Sequence, residues 1–198
     1  NGTYINLGVF VDGGLFGVLQ FGYAMNPASG KSVVKGTAND EYLELNRMWL
    51  DDYCGKNSES KALSYSMKYI KNKYGKIKWI QSFADERCGG FGIVYQAANF
   101  NYFGEHISTF WELDGNWYHN SMMTRNPDQT PQAAFLQDNK KRCRSEKLRQ
   151  FRYIYFIDKR EKKNCTHKQC EYPKHYNETS KYLFKGEIAI GGNSSEQL

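Results

Sequence analysis

Apolar residues along the chain fall into short runs with a two-residue beat, interrupted by one longer stretch with a helical beat. Residues 5–11 (INLGVFV) and 15–21 (LFGVLQF) are β-prone runs joined by Asp12-Gly13-Gly14, whose glycines accept positive φ, and they predict an opening hairpin. Residues 23–40 read as a polar connection rich in Gly, Pro, Ser and Asn. Over 42–50 (YLELNRMWL), Leu43, Leu45 and Arg47 alternate with Glu44, Asn46 and Met48, which predicts a strand. Asn57 or Ser58 is placed to cap a helix with Glu59 in its first turn. Leu63, Met67, Ile70 and Tyr74 then recur at spacings of four, three and four, and Gly75 predicts its end. Residues 77–84 (IKWIQSFA) predict a strand ending at Asp85, followed by a glycine-rich bend (CGGFG) and a short helix near 92–99. Strand, helix and strand in this order predict a right-handed parallel unit. Residues 107–113 and 116–119 flank Asp114-Gly115 as a second hairpin, 121–134 read as a loop, and 151–157 (FRYIYFI) as the last strand. The remainder is hydrophilic. The expected organisation is a domain over 1–160 and a polar C-terminal tail over 161–198, partly extended or disordered, with one short β segment at GEIAI.

Composition narrows the class without identifying it. A chain of 198 residues with a mean hydropathy of −0.74 fits one soluble domain, and at that length about 70% of the unfolded surface is buried on folding. No apolar run approaches the roughly 20 residues of a bilayer span, and no basic-then-apolar leader opens the sequence, so neither membrane insertion nor secretion is expected. Five cysteines, at 54, 88, 143, 165 and 170, are odd in number and irregular in spacing, which predicts reduced thiols in a cytosol. The formal charge of +6 is unevenly spread. Eleven basic residues against three acidic ones lie between Lys140 and Lys163, leaving the rest of the chain slightly acidic. Such a run is either a solvated face or a binding surface. Phe151, Tyr153, Tyr155 and Phe156 lie among its cations, a mixture suited to holding phosphates and stacking bases, which favours nucleic acid as the partner.

Candidate chemistry sits at four places. Around Asn57, Ser58, Ser60 and Lys61 a helix start presents free N–H groups and its dipole to an anion, or is simply capped. Asp85 ends an apolar strand, and Tyr95 lies ten residues on. A carboxylate and a phenol there suit general base and acid, or a cap and a core residue. Cys165, His167, Cys170 and His175 are spaced too closely for a standard zinc site, and no metal ligand set is assigned. The spacing of His106 and His119, beside the second hairpin, does not decide between base contact and an ordinary surface role.

Five strings in order carry a resemblance. Leu43-Glu44-Leu45-Asn46-Arg47-Met48-Trp49-Leu50, Asn57-Ser58-Glu59-Ser60-Lys61-Ala62-Leu63, Ser82-Phe83-Ala84-Asp85, Ile93-Val94-Tyr95-Gln96-Ala97-Ala98-Asn99-Phe100 with Gly104, and Lys147-Leu148-Arg149-Gln150-Phe151-Arg152-Tyr153-Ile154-Tyr155-Phe156 resemble the phage Mom family of DNA-modification proteins over about residues 4–160. The resemblance implies an α+β, GNAT-like fold: a mixed central sheet with splayed parallel strands flanked by helices. It implies a transferase that adds a methylcarbamoyl (glycinamide-like) group to adenine N6 of double-stranded DNA in the host cytoplasm, shielding phage DNA from restriction. Iron dependence and an acyl or glycyl donor go with it. Carried over by position, Asp85 and Tyr95 handle the adenine amine or the donor, and Asn46, Arg47, Asn57, Ser58, Ser60 and Lys61 bind the donor. Lys147, Arg149, Arg152 and Tyr153 hold DNA. The absence of glycine from NSESKAL speaks against coenzyme A in its usual pose. The same fold also serves N-acyltransferases of protein, tRNA or small amines, and a noncatalytic DNA-binding module is the remaining alternative.

Overall fold

The structure, a computed structural model, describes residues 3–88, 90–124, 126 and 130–174. Strands β1 (Thr3–Val11) and β2 (Gly14–Gly22) form the predicted hairpin, and their turn places Asp12 and Gly13 at φ 48° and 84°. Two consecutive positive φ values are what a two-residue turn between right-twisted strands requires. The 23–40 connection contains a helical turn, α1 (Gly30–Val33). Strand β3 (Tyr42–Leu50) pairs antiparallel with β2, helix α2 (Ser58–Lys73) follows, and β4 (Trp79–Asp85) pairs parallel with β3. Then come α3 (Ile93–Ala97), β5 (Asn101–Leu113), β6 (Asn116–His119), α4 (Asn120–Thr124), α5 (Pro131–Asp138) and β7 (Arg144–Phe156). The sheet runs β1-β2-β3-β4-β7-β5-β6. This mixed sheet flanked by helices is the α+β class expected.

Several local expectations change. Helix α2 buries Leu63, Met67 and Ile70 as predicted, but Asn57 makes no side-chain cap. It sits instead at φ 67°, a left-handed conformation that Asn tolerates better than most residues. The helix stops at Lys73 through Tyr74, whose N–H bonds to the Ile70 carbonyl, rather than through a left-handed Gly75. Within the expected 121–134 loop lie α4 and the start of α5. Thr130 accepts from the Ala133 N–H and Pro131 occupies the first turn, a cap-then-proline start present in the sequence. Strands β5 and β7 begin at Asn101 and Arg144, before the apolar runs that announced them.

The chain clusters into two compact units. One takes its described residues from 3–84, 91–104 and 151–174, the other from 85–90 and 105–150. In the first, Leu19, Phe21, Leu43, Leu63, Ile80 and Tyr153 belong to one buried cluster, and a second is built on Tyr42 stacked on Trp79 at 4.3 Å. The Trp79 indole N–H is satisfied by Thr37 Oγ1 at 3.1 Å, as a buried indole requires. Residues 161–174 run along this unit. Cys165 bridges Val34, the Cys170 N–H donates to Tyr102 O, and the Tyr172 hydroxyl donates to Phe100 O at 2.6 Å. The GEIAI segment and His175 lie outside the described residues.

Candidate active site

In the first unit the parallel strands β3 and β4 pair over Tyr42↔Trp79, Leu43↔Ile80 and Glu44↔Gln81, and both strands continue past that last rung. There Gln81 Nε2 donates to Glu44 Oε1 at 2.5 Å, while Gln81 Oε1 is buried without a partner among the described residues. Arg152, from β7, lies with its guanidinium 5.3 Å from the centre of the Phe83 ring and donates to His167 Nε2 at 2.8 Å. Because arginine only donates, the His167 proton is on Nδ1, and burial together with the neighbouring cation lowers its pKa. Burial raises the Glu44 pKa, against the hydrogen bond from Gln81 and the attraction of Arg152. A folded value above the unfolded one means that the stabilisation is full below the ordinary carboxyl range and is lost as pH rises through the raised value. Glu44→Gln keeps an oxygen for Gln81 and removes the titration. Wild-type Tm is therefore expected to fall relative to the variant as pH is raised through that window; parallel Tm–pH curves would contradict it.

Asn46 and Arg47 are exposed on β3 beyond the last parallel rung. At the start of α2, Ser58 Oγ donates to Cys54 O, Ser60 Oγ donates to Asn57 O at 3.0 Å, and the Lys61 N–H bonds to the same carbonyl at 3.1 Å. The two serine hydroxyls therefore spend their protons on the backbone, and the donors left for an anion are backbone N–H groups of the first turn. A cleft of about 350 Å³ runs beside this helix, lined mainly by apolar groups that include Leu7, Val9, Leu19, Ala62 and Tyr65, with Lys61 at its rim. Tyr95, in α3, is half-buried, its ring 5.2 Å from Tyr153 and 5.6 Å from Phe100. Gly92, before that helix, has φ 89°, and a Cβ there would come within 2.4 Å of the Tyr153 ring, so glycine is required on both counts.

The second unit gathers charge around the end of β4. Asp85 Oδ1 accepts from the Arg87 N–H and Nε at 3.0 Å each, and Oδ2 accepts from Nε at 3.0 Å and Nη2 at 2.5 Å. Arg87 in turn lies 4.1 Å over the centre of the Phe110 ring and 6.0 Å from that of Trp117. Glu86, 6% exposed, accepts from the Arg149 N–H at 2.8 Å and from its guanidinium at 2.9 and 3.2 Å; Glu105 lies 3.7 Å away. His119 packs edge-on against Phe110 at 5.2 Å.

A family model described as the Mom protein family matches residues 1–174. The chain belongs to the Mom protein family. Among curated relatives of this Mom chain, the methylcarbamoylase mom of Escherichia phage Mu is 51% identical over 168 residues, which are 85% of this chain and 70% of that protein. Solved structures with a similar course include the aminoglycoside acetyltransferase AAC(6')-Ib (TM-score 0.40, 16% identity, 51% of this chain and 58% of that one). An N-acetyltransferase from Staphylococcus aureus Mu50 also follows it (TM-score 0.46, 15% identity, 77% and 67%).

In this Mom chain the expected site residues are distributed as follows. Asp85 falls in the second unit and Tyr95 in the first, with Asn46, Arg47, Asn57, Ser58, Ser60 and Lys61. Of the residues expected to hold DNA, Lys147 is exposed and Arg149 is clamped by Glu86. Arg152 is turned onto Phe83 and His167. Tyr153 is fully buried with its hydroxyl donating to Phe91 O, so no base stacks on it. The aromatic interleaving of β7 is the inward beat of a strand. Arg87 and Glu86 were not singled out from sequence, where the strand end at Asp85 pointed to this place and the spacing of His119 did not decide between base contact and a surface role. Among the described residues no three His, Cys, Asp or Glu side chains are grouped to hold a metal ion. No helix among them is long and apolar enough to cross a membrane.

Proposed function

We propose that this Mom family chain transfers a methylcarbamoyl group to adenine N6 of duplex phage DNA in the host cytoplasm and so protects that DNA from restriction. The observation that carries the reading is the 51% identity, over 85% of the chain, to a phage protein named a methylcarbamoylase. Asp85 and Tyr95 handle the adenine amine or the donor. The donor, acyl or glycyl, is held by Asn46 and Arg47 past the last parallel rung and by the start of α2 with Lys61. Reaching N6 requires the base out of its stack at a cost of a few kcal/mol, and cations on the phosphates hold the strand meanwhile. The exposed Lys140, Lys141 and Lys147 of the second unit suit that task better than the clamped Arg149.

The test is mass spectrometry of nucleosides from DNA of cells expressing the full-length protein. A deoxyadenosine heavier by the methylcarbamoyl group is expected. Unmodified deoxyadenosine beside an acylated protein, tRNA or small amine would assign the chain to the N-acyltransferases. Salt-dependent DNA binding with no modified product of any kind would leave a binding module.

A further inference from the structure

Within the first unit, where β7 ends, a cavity of about 510 Å³ is lined among the described residues by Asn99, Asn101, Tyr155, Phe156, Lys159 and Lys162. Residues Lys159–Asn164 form a 3-10 helix, and with three residues to a turn Lys159 and Lys162 lie on the same side of it, one above the other. Backbone bonds fix this helix at both ends: the Asp158 N–H donates to Lys78 O at 2.9 Å, and the Lys35 N–H to Asn164 O at 2.9 Å. The neighbouring acids are engaged elsewhere. Asp158 accepts from the Arg160 guanidinium at 2.7 Å, while Glu161 accepts from Asn164 Nδ2 at 2.9 Å and lies 3.8 Å from the Lys78 ammonium. Two ammonium groups therefore face one cavity with no counter-ion among the described residues, and their mutual repulsion is relieved when an anion enters.

The rest of the lining is amide and aromatic. Asn99 follows α3 at φ 62°, held there by its own N–H on Gln96 O and by the Phe100 N–H on Tyr95 O, both at 3.0 Å, and Asn101 opens β5. Neither carboxamide has a hydrogen-bond partner among the described residues. Each offers a donor and an acceptor. Of the four aromatics in the basic run, Phe151, Tyr153 and Phe156 are buried and Tyr155 alone is half-buried, its ring 5.3 Å from that of Phe100.

We propose that this cavity binds one nucleoside monophosphate unit, with the phosphate on Lys159 and Lys162, the base against Tyr155, and the polar edge of the base on Asn99 and Asn101. Inorganic phosphate would use the two lysines and leave both amides idle. Adenine presents an N–H donor beside a ring-nitrogen acceptor, the pair that a carboxamide matches. The volume lies in the range of small-molecule sites. None of the residues assigned to methylcarbamoyl transfer takes part, so the site stands whether or not that reading does. A free nucleotide and an unpaired nucleotide of a DNA strand offer the same chemistry.

Deoxyadenosine 5′-monophosphate is titrated calorimetrically into the full-length protein at low salt, with no donor present and no turnover. One equivalent is expected to bind with a Kd of about 1 mM or tighter, and about tenfold more tightly than inorganic phosphate. Lys159→Ala and Lys162→Ala are each expected to weaken it about tenfold, as is Tyr155→Leu through the lost stacking face. Asn99→Gly, which keeps the left-handed φ, combined with Asn101→Ala is expected to bring the nucleotide down to the affinity of inorganic phosphate. Lys163→Ala removes a like charge from the same helix outside the lining and is expected to stay within about twofold of wild type. Unchanged Tm in the lysine and asparagine variants, whose side chains have no partner in the chain, separates lost binding from lost folding. Wild type that takes up no nucleotide at about 10 mM overturns the proposal. So does an equal loss in Lys163→Ala and Lys159→Ala, or equal affinity for nucleotide and inorganic phosphate. Displacement of the bound nucleotide by single-stranded oligodeoxyadenylate assigns the unit to a DNA strand and its retention assigns a free nucleotide; each supports the site.

Discussion

Arg149→Met is expected to lower the unfolding free energy by about 3–5 kcal/mol, the cost of stranding one partner of a buried ion pair. Glu86 keeps 8% of its side chain exposed and Arg149 21%, so neither charge is well hydrated. The guanidinium gives Glu86 Oε1 two hydrogen bonds, while the backbone N–H of residue 149 holds Oε2 in either case. Glu105, at 3.7 Å and 42% exposed, adds little. The double variant Glu86→Leu with Arg149→Met removes both charges and is expected to recover most of the loss. Equilibrium denaturation in urea reads both numbers, provided the m-value holds. A single-variant loss below about 1 kcal/mol, the range of an exposed pair, would show that water reaches Glu86. Weakened DNA binding in an Arg149 variant would accordingly report lost folding before lost phosphate contact.

That pair also marks where sequence reasoning stops. Signals confined to a few neighbouring residues were legible: Asp12-Gly13 and Asp114-Gly115 turn their hairpins with paired positive φ, and Leu63, Met67 and Ile70 face the core from α2. The Thr130-Pro131 start of α5 was equally local, and the surrounding polar composition hid it. Glu86 and Arg149 lie 63 residues apart, and nothing local distinguishes a clamped arginine from a solvated one in a basic run. Tyr153 read as a stacking platform because an inward aromatic on a central strand and an exposed one have the same two-residue spacing. At the site, Asp85 was visible as the polar end of an apolar strand. Its partner Arg87, two residues on, depends on the turn after β4 folding the chain back on itself, and His119 reaches the same group only through a ring on another strand.

Asp85→Asn is expected to reduce adenine modification on the order of 10³-fold, within the range for removing a side chain that moves a proton, while costing about 1 kcal/mol of stability. The disproportion follows from the geometry. Asparagine fills the same volume, and its oxygen still accepts from the Arg87 N–H that Asp85 Oδ1 accepts now at 3.0 Å. Arg87 also keeps its seat over Phe110, so the turn has little reason to move. What disappears is the negative charge at the end of β4. In the resting protein both carboxylate oxygens are occupied by Arg87, so for Asp85 to take a proton from the adenine amine one of those contacts has to lengthen. The aromatic faces of Phe110 and Trp117 hold the guanidinium nearby while it does, and the cation then faces the carboxylate without cancelling it. Nucleoside mass spectrometry for the product, duplex affinity and Tm, measured on the same preparation, separate the roles. A variant that binds DNA and melts like wild type but leaves deoxyadenosine unmodified places Asp85 in the chemistry. If activity instead falls only in step with the folded fraction, Asp85 is a turn residue whose charge serves Arg87 alone.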